Sequence, residues 1–151
     1  MTKSIVIGSD HGGFALKEEL KKMLQRQGYD VADFGTYSED SCDYPDYALL
    51  IGEAVSSGQY EKGILVDGTG GGVCLAANKI KGIRAVTAYN RLTGVYASEH
   101  DDCNVICLGG KMIGTLAAID IVKAWLETPF GGGRHERRLE KIRDIEKRQK
   151  V

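Results

Sequence analysis

Five short apolar runs, each followed by a segment of helical periodicity, carry this sequence from one end to the other, and that alternation points to a parallel sheet. The runs occupy residues 4–8, 30–34, 63–66, 85–87 and 105–108. After the first, Leu16, Leu20, Met23 and Leu24 recur at helical spacing with lysines, glutamates and glutamines opposite, and Gly28 stops the helix. Pro45 suits the first turn of a second helix ending near residue 57. A third helix runs from a glycine loop at 68–72 through Asn78, a fourth over 91–99, a fifth over 113–126 and a charged sixth over 134–150. The expected fold is α/β, a three-layer sandwich of a five-stranded parallel sheet with helices on both faces and a C-terminal helical arm. In such sheets ligands bind beyond the carboxyl ends of the strands. Asp10, His11, the 67–72 segment and the residues after Thr87 all fall at that edge.

The 151 residues fit one domain, 1–151, large enough to bury a core. A formal charge of −1 and a pI of about 6.3 give no basic field for nucleic acid. The longest apolar stretch is interrupted by Asp120 and Lys123 and is too short to span a bilayer. Met1-Thr2-Lys3 leads directly into Ser4-Ile5-Val6-Ile7 without the layout of a signal peptide, so a cytoplasmic protein with no membrane partner is expected. Cys42, Cys74, Cys103 and Cys107 form no Cys-x-x-Cys, and His11, His100 and His135 are scattered. The cysteines read as free thiols, and no metal site is expected.

Glycine is the compositional signal: twenty against two prolines, many clustered at strand ends where backbone must turn sharply or approach a ligand. Gly68-Thr69-Gly70-Gly71-Gly72, between a strand and a helix, frees several backbone N–H groups at the positive end of a helix dipole. That arrangement binds phosphate or stabilises an oxyanion. No Gly-Lys-Ser/Thr follows, so this is not a P-loop, and the spacing is one residue short of the dinucleotide fingerprint. A tight structural turn is the alternative. Asp67, just before it, reads either as a cap for the next helix or as a carboxylate base at the mouth of an oxyanion site. Asp10 and His11 place a carboxylate and an imidazole at the same edge, with a helix cap as the other reading of Asp10.

His100 ends the fourth helix beside Asp101 and Asp102. A histidine so placed suits a proton donor to a ring oxygen, and a surface residue fits the same pattern. Arg134 and Arg138 are four apart, hence on one helical face where two guanidiniums can grip one phosphate; a solvated charged face is the alternative. On the same helix Leu139, Ile142 and Ile145 form a stripe narrower than a core helix needs. The helix is therefore either a surface element of its own domain or an arm packing on another subunit.

Together these residues resemble the ribose-5-phosphate isomerase B family, which includes galactose-6-phosphate isomerase subunits. The likeness spans nearly the whole chain. It rests on Ser9-Asp10-His11-Gly12-Gly13, Asp43-Tyr44-Pro45-Asp46-Tyr47, Gly68-Thr69-Gly70, Ala76-Ala77-Asn78-Lys79, Gly82-Ile83-Arg84-Ala85 and Gly132-Gly133-Arg134-His135, in order and at family spacing. The resemblance implies a Rossmann-like fold and a homodimer or dimer of dimers with shared sites. It also implies aldose–ketose isomerisation of a phosphorylated sugar through a cis-enediolate, without metal or other cofactor. By position, Asp10, His11 and Tyr44 would contact the sugar, the backbone of Gly68, Gly70, Gly71 and Gly72 would hold the enediolate oxygen, and Thr69 would assist the proton shuttle. His100 would open the furanose ring, and Arg134 and Arg138 would bind phosphate, some of these groups coming from the neighbouring subunit.

Four positions depart from patterns seen in the family. Members commonly carry a catalytic cysteine where this chain has Asp67, and another branch has a glutamate base where this chain has Val73. Asp101 stands for the usual asparagine after the ring-opening histidine, and Lys111 for a frequent arginine; both are expected substrate contacts. The expected reaction is ribose 5-phosphate to ribulose 5-phosphate, with Asp67 moving a proton between carbons 2 and 1 and Cys74 as reserve base. Two alternatives stay open: a different pentose, tetrose or hexose phosphate as substrate, and a non-catalytic sugar-phosphate-binding subunit.

Overall fold

A computed structural model describes residues 4–149; Met1, Thr2 and Lys3, on which the leader reading falls, and Lys150, the last residue of the expected sixth helix, lie outside the described residues. Strands β1 (Ser4–Ser9), β2 (Asp30–Asp33), β3 (Lys62–Asp67), β4 (Ala85–Thr87) and β5 (Val105–Gly109) form one parallel sheet in the order β2-β1-β3-β5-β4. The helices are α1 (Phe14–Arg26), preceded by a 3-10 turn at His11–Gly13, then α2 (Tyr44–Ser56), α3 (Gly71–Ala77), α4 (Arg91–Glu99), α5 (Thr115–Glu127) and α6 (Arg134–Arg148). The expected α/β architecture is what the chain builds. The fifth helix starts two residues late because Gly114 is extended as its N-cap, while the Ile113 N–H turns back to the Gly109 carbonyl (3.2 Å).

Strand periodicity divides the core between two faces. Ile5, Ile7, Ile64, Val66, Ile106 and Leu108 meet Leu20, Leu24, Ala97, Ile121 and Trp125 of α1, α4 and α5. Val6, Leu65, Val105 and Cys107 meet Ala48, Ile51, Val73 and Ala77 of α2 and α3. Both faces of β1, β3 and β5 are buried, which is why these strands read as unbroken apolar runs. β1 leads outward to β2 and the chain re-enters on its other side as β3, so the loops after β1 and β3 diverge at a switch point, the place where open parallel sheets bind ligands.

At the border strand β4, Asn78 imitates a further strand. The Ala85 N–H donates to its Oδ1 (2.8 Å) and its Nδ2 donates to the Ala85 carbonyl (2.9 Å), closing an edge that would otherwise be open to pairing. α6 is attached more lightly: Leu139 is its buried residue, while Ile142 and Ile145 stand exposed along a groove shared with Asn78, Lys79 and Ile83.

Lys17 breaks the amphipathic pattern of α1. It sits at the flank of the apolar stripe, three residues before Leu20 and seven before Leu24, and is fully buried despite its charge. Its Nζ lies 2.7 Å from both carboxylate oxygens of Asp33 and 3.2 Å from Glu18, and Lys21 also reaches Asp33 at 2.7 Å. Burial works against the Asp33 charge, but hydrogen bonds from Lys17, Lys21 and the Gly35 N–H outweigh it and hold the carboxyl below its ordinary value. Asp33→Asn leaves the buried ammonium with Glu18 as its one remaining carboxylate among the described residues, and should lower the unfolding free energy at pH 7 by about 3 kcal/mol in urea titration. Because Asp33 titrates lower in the fold than in the unfolded chain, its contribution is complete above the unfolded-state value and is lost as pH falls through the folded one. The gap between wild type and variant should therefore close in acid; a gap that persists there, or none at pH 7, refutes the assignment.

Candidate active site

The carboxyl ends of β1, β3 and β5 assemble one half of the expected site. Asp67 ends β3 with its side chain buried. Its Oδ1 accepts the Gly70 N–H and its Oδ2 the Val73 N–H (3.2 Å), so the carboxylate faces the first turn of α3. The capping reading of Asp67 is thus built into the fold. Accepting one N–H on each oxygen still leaves each a second lone pair. Gly71 N–H is taken by Thr69 Oγ1 (3.2 Å). Among the described residues, the N–H groups of Gly68, Thr69 and Gly72 have no protein acceptor. The loop therefore combines a fixed carboxylate with open donors at a helix start.

Close packing explains two of the glycines. Gly70 has φ +84°, and a Cβ there would lie 2.8 Å from Thr87 Cγ2; the Thr87 hydroxyl donates to the Gly70 carbonyl (2.7 Å). A Cβ on Gly72 would lie 2.7 Å from the Tyr44 ring, which rests on the loop. The Lys111 stem crosses Gly68 on the other side, and the Lys111 N–H donates to the Gly68 carbonyl (3.0 Å). Asp10 accepts the Gly13 N–H (3.1 Å) and caps the 3-10 turn, as its alternative reading had it. Its carboxyl is raised above the usual range, chiefly by burial and further by the charge of Asp67. His11 Nδ1 accepts the Cys42 N–H (3.2 Å), which leaves Nε2 to carry the proton of a neutral ring. Asp10, His11, Tyr44, the 68–72 loop and Lys111 thus share one edge.

His100, Asp101, Arg134 and Arg138 are not with them. His100 caps the end of α4 just before β5 begins, whereas Lys111 follows β5. Five strand residues at about 3.3 Å each put roughly 16 Å between those edges. At the amino edge the Gly131 N–H donates to the Glu99 carbonyl (2.9 Å), and Glu99, Phe130, Gly132, Arg134 and His135 line a cleft of about 400 Å³. α6 (Arg134–Arg148) starts after Gly133 with no side-chain cap; the His135 N–H turns back to the Gly132 carbonyl (3.0 Å), and Arg138 stands one turn beyond Arg134. His100 Nε2 is 3.2 Å from Glu99 Oε1. A single chain therefore carries the expected site residues as two groups on opposite edges.

Cys74 turns toward β4: its sulfur lies 3.5 Å from the Ala85 carbonyl and 3.6 Å from Asn78 Nδ2. Hydrogen bonding with Cys107 above all, helped by Thr87, outweighs burial and brings its pKa down to about 6. Burial pushes Cys103 up to about 12 and Cys107 well above the ordinary value. Sequence reasoning overlooked Thr87 and the Cys42 backbone donor, and it named His135 without a task. Proximity to Arg134 was the signal available for His135; a backbone donor leaves none. Iodoacetamide at pH 7 should label half-buried Cys74 and spare Cys103 and Cys107 in the native protein. Below pH 6 the Cys74 rate should fall about tenfold per pH unit as the thiolate is protonated; mass spectrometry showing a rate still climbing from pH 7 to 9 contradicts this.

The description "Ribose/Galactose Isomerase" belongs to the family model that matches residues 5–142. Ribose-5-phosphate isomerase B of Escherichia coli is 43% identical over 147 residues, covering 97% of this chain and 99% of its own. Ribose-5-phosphate isomerase B of Clostridium thermocellum superimposes with a TM-score of 0.96 at 47% identity, over 97% of this chain and 99% of the other. The Mycoplasma genitalium enzyme, solved with bound ribulose-5-phosphate, gives 0.93 at 40% identity, over 97% and 98%. Fold, loop and likeness define an aldose–ketose isomerase of phosphorylated sugars. The chain belongs to the ribose/galactose isomerase family.

Proposed function

We propose that residues 1–151 act as one sugar-phosphate isomerase domain interconverting ribose 5-phosphate and ribulose 5-phosphate, in a cytoplasmic homodimer or dimer of dimers. Each site takes its carboxyl-edge half from one copy and its amino-edge half from another. The observation that carries this reading is Asp67, a buried carboxylate held against a loop of open amides at a helix start. There a migrating proton and a developing oxyanion can lie side by side. The names of the relatives, one with ribulose-5-phosphate bound, support the substrate. The opposite-edge placement of the half-sites and the exposed Ile142 and Ile145 of α6 support a second copy.

Arg134 and Arg138 hold the phosphate. His100 gives a proton to the ring oxygen as the C1–O bond breaks and the anomeric hydroxyl loses its proton to solvent, yielding the open aldose. Asp10, His11, Tyr44, Asp101 and Lys111 orient the chain of hydroxyls. Asp67 then takes the proton from carbon 2, and the electron pair moves through the new C1–C2 double bond onto O1. The amides of Gly68, Thr69 and Gly72 stabilise that oxygen, while Gly70 and Gly71, whose N–H groups are already bonded, shape the loop. The Thr69 hydroxyl relays a proton from O2 to O1, and Asp67 returns its proton to carbon 1 to complete the ketose.

Asp67→Asn should lower turnover by about 10²-fold or more, the usual contribution of a general base, and Cys74→Ser should not. Near-normal turnover by the first, or collapse by the second, moves the base to the thiol. Running both with ribose 5-phosphate and other pentose, tetrose and hexose phosphates in heavy water, and reading deuterium at carbons 1 and 2, ranks the sugars in the same experiment. The shared site has its own test. Asp67→Asn and His100→Ala subunits, each inactive, should on co-expression regain about a quarter of wild-type activity, because random pairing gives half heterodimers with one intact site each. No recovery above the separate variants means that one chain supplies the whole site.

A further inference from the structure

His135 belongs to the 132–135 motif, yet the proposed reaction gives it no task. It completes a pile of three flat rings. Tyr96 and His100 stack with centroids 4.2 Å apart and planes 13° from parallel; His100 and His135 stack at 4.3 Å and 14°. Tyr96 and His100 are one turn apart on α4, whereas His135 comes from the first turn of α6. Gly131 lets these segments approach: a Cβ there would lie 3.1 Å from the Glu99 carbonyl and 3.4 Å from the His135 ring. Glu99 also holds His100 Nε2.

We propose that His135 is a positioning residue for His100, the outer plate of a clamp that fixes the plane of the ring-opening imidazole and leaves its Nδ1 to face the sugar. This rests on the reading of His100 as the ring-opening acid. A half-exposed imidazole turns freely because its second side-chain torsion has broad wells. Between two parallel rings at van der Waals distance, the same rotation drives ring edges into both neighbours. With Nε2 placed 3.2 Å from Glu99 Oε1, Nδ1 is the ring nitrogen left for transfer. The charged and titratable groups facing the pile are Glu99 and Tyr96 from α4 and Arg134 and Arg138 from α6. Desolvation, then His100 and the two arginines, hold His135 below the ordinary histidine value against the opposing pull of Glu99, so His135 serves as the uncharged plate.

The test separates ring opening from proton migration. Ribulose 5-phosphate cannot close to a furanose, because its C5 oxygen carries the phosphate. Deuterium exchange at its C1 in heavy water therefore needs the Asp67 step but no ring opening. His135→Ala should lower kcat for ribose 5-phosphate about tenfold through lost orientation, with KM within about twofold and the ribulose 5-phosphate exchange rate retained. His135→Phe, which keeps a flat uncharged ring, should recover most of the loss and preserve the shape of the kcat–pH profile. Equal loss in both reactions would place His135 in phosphate binding or folding, and an unimpaired His135→Ala would remove it from catalysis; either overturns the proposal. His100→Ala reports separately on the underlying reading: if it loses both reactions equally, His100 is not the ring-opening acid, whatever His135 does.

Discussion

Two backbone N–H groups bonded to one carboxylate hold the carboxyl-edge half of this protein in register. Asp67 ends a central strand, and the donors of Gly70 and Val73 fasten the start of α3 to it. Other groups at that edge are placed against this junction: Tyr44 on Gly72, Thr87 on Gly70, Lys111 across Gly68. A thiol in the same position offers one weak acceptor where the carboxylate offers two strong ones. The aspartate therefore does structural work that a cysteine could share only in part, fastening Gly70 and Val73 with one oxygen each.

The parallel sheet imposes the second constraint. Every strand runs the same way, so a residue just before a strand and one just after it lie a full strand length apart. His100 and Lys111 bracket β5 in this manner. Electrostatics gives the separation a use. Asp10 and Asp67 make the carboxyl edge negative enough that one raises the other's affinity for protons, an unfavourable place for a phosphate dianion. The arginines lie at the opposite edge, so in the proposed two-copy site a phosphorylated sugar keeps its phosphate among cations and its reacting carbons beside the carboxylate.

The fold was legible because its signals are local. β4 and α4 fall within the residues that propensity alone assigns, since Asn90 caps α4 through a reciprocal bond with Thr93 and the short apolar run before it has no helical alternative. Lys17 was not legible: its partner Asp33 is sixteen residues away, and a lysine at the flank of an apolar stripe reads as reaching out to solvent until the strand beside it is placed. The resemblance already implied that some site groups come from a neighbouring subunit; which residues fall at which edge could be read from the position of each relative to its nearest strand. The ring pile could not be read at all, because stacking between residues 100 and 135 depends on how the 131–133 turn folds.

The cost of an aspartate at position 67 is visible at Asp10. Two buried carboxylates side by side cannot both be comfortable as anions, and the fold resolves this unequally. Asp67 receives two N–H donors and faces a helix start, while the burial that dominates at Asp10 pushes its carboxyl upward. The strain is thus displaced onto the residue that, in the proposed reaction, needs only to hold a hydroxyl. A protonated Asp10 can donate to a sugar oxygen and a charged one can accept from a hydroxyl, so orientation survives either state. In the proposed reaction Asp67 has no such latitude, because only a carboxylate can abstract a proton from carbon. The fold thus sets a backbone donor on each oxygen of Asp67, while the upward push of burial falls on Asp10, whose proposed task tolerates either state.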